Sequence, residues 1–165
     1  MKQVMVLEQA HDGDVRDLVT TPAVAAAPAA TLLWSCGDDG TIKVWDDSFS
    51  CVDVLSSHGA PVRALLARGE VVFSGGEDTH ICVWSAATRA ELAKIAGLVP
   101  VTALAYADSV FMGQPTLLSG HADGAIKVWS LADVRAPVCM LVLDQHKAAV
   151  RALLVASDSA IVSGG

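Results

Sequence analysis

The chain has 165 residues, 53% of them hydrophobic, with 11 lysines and arginines against 18 acidic residues and a formal net charge of −7. That balance argues against a nucleic-acid partner, whose phosphates call for an electropositive face, and is what ordinary solubility asks for. The four cysteines, Cys36, Cys51, Cys82 and Cys139, contain no C-x-x-C pair, so neither a metal site nor a disulfide framework is expected and they are assigned as small buried hydrophobes in a reducing compartment.

Met1-Lys2-Gln3 leads into an alternating segment, Val4 to Glu8, which is predicted as a strand and lacks the apolar core of a secretory signal. His11-x-x-x-Val15-Arg16-Asp17-Leu18 comes next. Thr21 to Ala30 (TPAVAAAPAA) is predicted as a surface excursion of little fixed structure, and the prolines within Thr20 to Trp34 argue against a bilayer span there. SCGDDGTIKVW occupies Ser35 to Trp45, His58-x-x-x-Val62-Arg63-Ala64-Leu65 follows, and SGGEDTHICVW occupies Ser74 to Trp84. From Ser85 to Gly97 the composition suits a short helix, yet the phase of the surrounding pattern puts a strand at Ala90 to Ile95; the strand is preferred, because propensity is a weak prior. Val101-Thr102-Ala103-Leu104 repeats the histidine-led phrase with Gly97 where the histidine belongs, and Ala107 to Pro115 is a second insertion into a turn. SGHADGAIKVW occupies Ser119 to Trp129, and His146-x-x-x-Val150-Arg151-Ala152-Leu153 leads to Val162-Ser163-Gly164-Gly165. The clearest strands are Thr41 to Trp45, Val71 to Ser74, Ile81 to Trp84, Ile126 to Trp129 and Val138 to Val142.

Two ladders therefore run in step, one of Ser, Asp and Trp, the other led by His, and Trp45, Trp84 and Trp129 recur at intervals of 39 and 45 residues. This brackets the ~40 to 45 residues of a four-stranded propeller blade. The repeated residues resemble the WD-repeat β-propeller family over nearly the whole chain. The resemblance implies an all-β fold, an incomplete propeller of four-stranded antiparallel blades. Its repeats run over about 11–57, 58–96, 97–145 and a truncated 146–165, with 3–8 as the outer strand of a preceding blade. It also implies a place for each repeated side chain: the histidine in the turn entering a blade, the serine on its second strand, the aspartate in the following turn and the tryptophan on its third strand. That gives His11, Ser35, Asp39 and Trp45; His58, Ser74, Asp78 and Trp84; Ser119, Asp123 and Trp129 without a histidine; and His146 with Ser163. The Trp-Asp pair survives only at Trp45-Asp46, Ser85 and Ser130 replace the Asp elsewhere, and no Gly precedes the histidines. An open ring exposes strand edges and an apolar blade face, so a longer parent chain and poor autonomous behaviour are expected.

The same residues make physical sense alone. A buried aspartate must be paired, His and Ser offer it donors, and the indole N–H supplies the far end, so the set clamps strand register. The blade without a histidine is expected to be the looser one. A catalytic Ser-His-Asp triad is rejected, since one active site has no use for several copies, and no nucleophile elbow, P-loop, dinucleotide fingerprint or metal-ligand spacing among His11, His58, His80, His121 and His146 occurs. Neither cofactor nor metal is expected.

Recognition is expected at the turns instead, where Asp12, Gly13, Asp14, Asp38, Gly59, Ala60, Glu77 and Lys147 flank the clamps. An acidic face of this kind suits a basic or mixed-charge peptide, though ordinary turn chemistry accounts for the same Asp and Gly residues. Arg16, Arg63 and Arg151 share one position early in the innermost strand, either as a ring at the channel mouth able to hold an acidic side chain, or as partners of nearby Asp14 or Asp17. The family resemblance implies a non-catalytic, intracellular scaffold, cytoplasmic or nuclear, that binds other proteins. The alternative is a regulatory or targeting segment of a larger multidomain enzyme such as a ubiquitin-ligase component, a kinase or an inositol-polyphosphate phosphatase.

Overall fold

Fourteen strands and no helix make up the described residues, which in this computed structural model are 10–22, 31–111, 113–144, 146–157 and 160–165. The strand expected over Val4 to Glu8 and the stretch Ala23 to Ala30 lie outside them. The first antiparallel sheet runs β1 (Val15–Pro22), β2 (Thr31–Gly37), β3 (Ile42–Trp45) and β4 (Cys51–Leu55), each strand beside its successor. The second repeats the order with β5 (Val62–Arg68), β6 (Val71–Gly76), β7 (Ile81–Ser85) and β8 (Glu91–Ile95), and the third with β9 (Val101–Phe111), β10 (Gln114–His121), β11 (Ala125–Ser130) and β12 (Val138–Asp144). The fourth holds β13 (Ala152–Ser157) and β14 (Ala160–Gly164).

These sheets pack face to face in chain order, as propeller blades do. Trp34, Cys36 and Val44 of the first meet Val62, Leu65, Val72 and Trp84 of the second. Phe73 and Val83 of the second meet Val101, Leu117 and Trp129 of the third, and Ala105 and Leu118 of the third meet Val150 with Leu153 and Ile161. An inner sheet is thus covered on both faces, which is why its strands show continuous apolar runs in place of clean alternation.

The helix-like composition of Ser85 to Gly97 loses to the sheet. Arg89 takes a left-handed conformation (φ 63°) that ends any helical path, and Glu91–Ile95 pairs with β7 from Trp84↔Glu91 to Ile81↔Ile95. The insertion expected at Ala107 to Pro115 is corrected. Its residues lengthen β9 and β10 into a hairpin that still pairs at Phe111↔Gln114, with Gly113 at φ 68° supplying the reversal. Thr21 and Pro22 likewise belong to β1, Pro22 pairing with Thr31. The cysteines divide: Cys36 and Cys82 are buried between sheets as expected, whereas Cys51 and Cys139 are exposed on the outer strands β4 and β12, where only one sheet face is covered.

Every turn between the second and third strand of a sheet needs one left-handed residue. Gly40 (φ 74°) and Gly124 (φ 92°) provide it, and in the second sheet Thr79 adopts φ 71° despite its branched Cβ. Its hydroxyl donates to the Gly97 carbonyl at 2.9 Å, a contact that helps hold the unfavourable conformation.

Candidate functional site

In the first sheet Trp45 Nε1–H donates to Ser35 Oγ at 2.9 Å, Ser35 Oγ lies 2.7 Å from His11 Nε2, and His11 Nδ1 lies 3.0 Å from the Asp39 carboxylate. An indole can only donate and an ionised carboxylate can only accept, so the serine hydrogen points at Nε2 and the Nδ1 hydrogen at Asp39. The second sheet repeats the relay through Trp84, Ser74 (2.9 Å), His58 (2.8 Å) and Asp78 (2.9 Å). In the fourth, His146 Nε2 and Ser163 Oγ lie 2.7 Å apart. Burial opposes the charge on Asp39, but hydrogen bonds from the Thr41 N–H, His11, the Thr41 hydroxyl and the Asp12 N–H outweigh it and hold the carboxyl down at about 2. Asp78 is lowered on the same balance, with His58 the leading opponent of burial, while burial lowers His58 itself in spite of Asp78.

The third sheet corrects two expectations. It has an imidazole, and Asp123 takes no part with it. His121, on the same strand as Ser119, turns its ring back so that Nε2 meets Ser119 Oγ at 2.9 Å, with Trp129 Nε1 donating to that oxygen at 2.8 Å. The relay ends 3.3 Å away on the Val99 carbonyl, and among the described residues Asp123 accepts from the Ala125 N–H alone. His121 sits where the other sheets carry Gly37, Gly76 and Gly165. Those glycines leave room for the incoming ring: a Cβ on Gly37 would lie 2.9 Å from His11 Cγ, and one on Gly76 2.9 Å from His58 Nδ1. The signal was present in the phrase S-G-H against S-C-G and S-G-G. The expectation of a looser third blade therefore loses its premise.

The serines of the first three sheets are not available to a substrate. Ser35, Ser74 and Ser119 are 2%, 0% and 0% exposed, and each oxygen already receives an indole hydrogen.

Open chemistry lies at the rim. In the first two sheets the first two strands slip by one residue where the arginine stands, Val15 pairing with Gly37 and Asp17 with Cys36, and Val62 with Gly76 and Ala64 with Gly75. Arg16 and Arg63 are the extra residues of these bulges, and Thr102 holds the same place between Val101↔His121 and Ala103↔Gly120. A bulge re-aims its side chain. Arg16, Arg63 and Thr102, so aimed, line one cavity of about 500 Å³ together with Arg151, Glu77 and Ala149.

The acidic turns and the arginines are one constellation. Arg16 binds Asp38 through both Nε and Nη2 and lies 3.3 Å from Asp14. Arg63 reaches Asp38 at 3.1 Å and binds Glu77 through Nε at 2.9 Å and through Nη2. The result is an alternating chain, Asp14, Arg16, Asp38, Arg63, Glu77, along the cavity mouth. The paired guanidinium of Arg16 keeps Asp38 ionised below its ordinary range. Asp17 is not an arginine partner; it accepts from the Leu65 N–H at 2.8 Å and so ties the first sheet to the second, a role the sequence reading missed. Asp12, Lys147 and Arg151 stand exposed around the rim.

A family model described as "WD domain, G-beta repeat" matches residues 1–46 and 49–85. Transducin beta-like protein 3 of Bos taurus is 32% identical over 145 residues, which make up 79% of this chain and 17% of that protein. The probable cytosolic iron-sulfur protein assembly protein 1 of Botryotinia fuckeliana (strain B05.10) is 26% identical over 159 residues, 76% of this chain and 34% of that one. The chain thus spans about a third or less of these relatives. Among solved structures, the computationally designed Ika4 protein superimposes with a TM-score of 0.75 at 31% identity, covering 99% of this chain and 92% of that one.

Proposed function

The chain belongs to the WD-repeat family, and on that footing we propose that it is a non-catalytic scaffold that docks a basic or mixed-charge segment of another protein on its turn face. The alternating charges of Asp14, Arg16, Asp38, Arg63 and Glu77 carry this reading: the two arginines are held on strand bulges and the carboxylates on the adjoining turns, at the mouth of a cavity large enough for side chains to enter. Asp12 and Arg151 extend the recognition set around the rim. A partner offering both signs can exchange with the internal pairs, whereas a polyanion such as nucleic acid meets a chain of net charge −7.

The test is affinity measured by fluorescence polarisation for peptides of equal length that are basic, mixed, acidic or neutral. Mixed or basic peptides bind best, and Asp38→Asn with Glu77→Gln weakens them by ~10-fold or more, as lost charge pairs do. Indifference to peptide charge, or to both substitutions together, refutes the proposal.

A regulatory or targeting role within a larger enzyme is the second reading, favoured by the small share of its relatives that the chain spans. Assay of the full reading frame for fused catalytic activity decides it. We place the protein inside the cell, in cytoplasm or nucleus, in keeping with the compartment named for the fungal relative. No helix among the described residues is long and apolar enough to cross a membrane.

A further inference from the structure

The third sheet takes its imidazole from the strand, and this releases two groups that the first two sheets keep in structural service. In those sheets the N–H after the turn histidine grips the clamp carboxylate, Asp12 to Asp39 at 3.1 Å and Gly59 to Asp78 at 3.2 Å. The two carboxylates are drawn inward, with side chains 13% and 11% exposed. Their third-sheet counterparts are Leu98, which follows Gly97 in the turn, and Asp123. Asp123 is exposed, and Leu98 at 93% is the most exposed large hydrophobic among the described residues.

The backbone on both sides of Leu98 is tied down. The Gly97 N–H donates to the Thr79 carbonyl at 3.1 Å, and the Gly97 carbonyl accepts from the Thr79 hydroxyl at 2.9 Å. Beyond Leu98, the Val99 carbonyl lies 3.3 Å from His121 Nδ1 and the Pro100 carbonyl accepts from the Ala122 N–H at 3.0 Å. A Cβ on Gly97 would lie 2.6 Å from the Thr79 carbonyl oxygen, so this contact admits only glycine, and Thr79 keeps its left-handed φ of 71° within it. Strain of this kind gathers at binding sites. An apolar side chain presented on a fixed turn also loses little freedom when a partner covers it.

The charges near Leu98 select a cation. Thr102 and Ala122 stand where the first two sheets place an arginine and its acid, so the internal pairing of Arg16 with Asp38 and of Arg63 with Glu77 has no equivalent there. Asp144, across the strands from Ala125, adds a second exposed carboxylate at this end of the sheet, against the single exposed Lys147 of the following turn.

We propose that the third sheet's turn anchors the segment docked on the turn face: an apolar side chain packs on Leu98 while a lysine or arginine next to it in sequence meets Asp123. This rests on the turn-face reading above and narrows its partner to a segment in which a basic residue adjoins an aliphatic or aromatic one.

Fluorescence polarisation tests it with four labelled peptides that share one mixed-charge sequence and differ at two adjacent positions, occupied by Arg-Leu, Arg-Ser, Ser-Leu or Glu-Leu. The Arg-Leu peptide binds tightest. Leu98→Ser weakens it by ~10-fold and leaves the Arg-Ser peptide nearly unchanged, and Asp123→Asn weakens it by ~10-fold and leaves the Ser-Leu peptide nearly unchanged. Urea midpoints of both variants match the wild type, since neither side chain belongs to a clamp; where Asp123→Asn lowers the midpoint, Asp123→Ser replaces it. An Arg-Leu peptide no tighter than Glu-Leu, or either variant weakening all four peptides alike, overturns the proposal. Binding that falls with Asp38→Asn and Glu77→Gln yet ignores Leu98→Ser and Asp123→Asn overturns this inference and leaves the turn-face reading standing, whereas failure of every peptide to bind removes both.

Discussion

His121 Nε2 and Ser119 Oγ, two positions apart on β10, lie 2.9 Å apart, and this local bond does the work that in the first two sheets spans 24 and 16 residues of chain. The serine and the indole of the clamp are unchanged. What differs is the side from which the imidazole arrives, and with it the terminal acceptor, a backbone carbonyl at Val99 in place of a carboxylate.

If the two arrangements are interchangeable, the third sheet's wiring can be moved into the second. Gly76→His alone is destabilising, because its Cβ would meet His58 Nδ1 at 2.9 Å, and His58→Ala alone leaves the Ser74 hydroxyl without its acceptor. Combined, they recover stability, with a favourable coupling of about 1 kcal/mol or more in a double-mutant cycle by urea denaturation. Additive losses would mean that the ring cannot enter from the strand in this sheet.

Acid should weaken the fold in two stages. Burial lowers His58 and His121 below the ordinary imidazole value of 6.5, so the unfolded chain takes up protons that the folded one refuses. Stability from this source is complete above pH 6.5 and drains as pH falls below it. Asp39 and Asp78 are lowered from 3.8, so their contribution is complete above about pH 4 and is lost as pH falls toward the folded values, about 2 for Asp39. Urea midpoints measured from pH 8 to pH 2 should show both declines, and His121→Gln should flatten the upper one. A midpoint constant from pH 7 to pH 5 contradicts the first stage.

Thiol labelling should split the cysteines evenly. Burial pushes the Cys36 and Cys82 thiols up to about 12, whereas Cys51 and Cys139 are exposed. A neutral chromogenic disulfide is expected to titrate two thiols in the native protein and all four after denaturation. Four fast-reacting thiols in the native state would show that the sheets part readily.

Arg63 bridges Asp38 and Glu77, while Arg16 is shared between Asp38 and Asp14. Arg63→Gln removes the central link of this partly exposed chain. It is expected to cost about 0.5–1 kcal/mol at low salt and less as salt rises. Thermal melts at two ionic strengths check this; a loss independent of salt would assign the residue a packing role.

Much of the fold was legible because the clamp residues recur in phase, and phase outweighed local composition at Glu91–Ile95. The long β9–β10 hairpin was not, since an insertion changes spacing without saying whether the added residues pair with each other. His121 was missed because the family pattern places the imidazole in the turn, and a histidine two residues after the serine looked like an incidental member of the phrase. The union of arginines and acidic turns needed coordinates. Arg16 and Arg63 meet Asp38 only because both lie on bulges, and a one-residue slip between strands leaves no mark on a sequence.

That slip has an evolutionary side. The bulged residue pairs with nothing across the ladder, so exchanging it leaves strand alignment untouched, and the chain itself samples the freedom by using arginine twice and threonine once. A lineage can thereby rewrite what its rim attracts, one blade at a time, without renegotiating the architecture underneath.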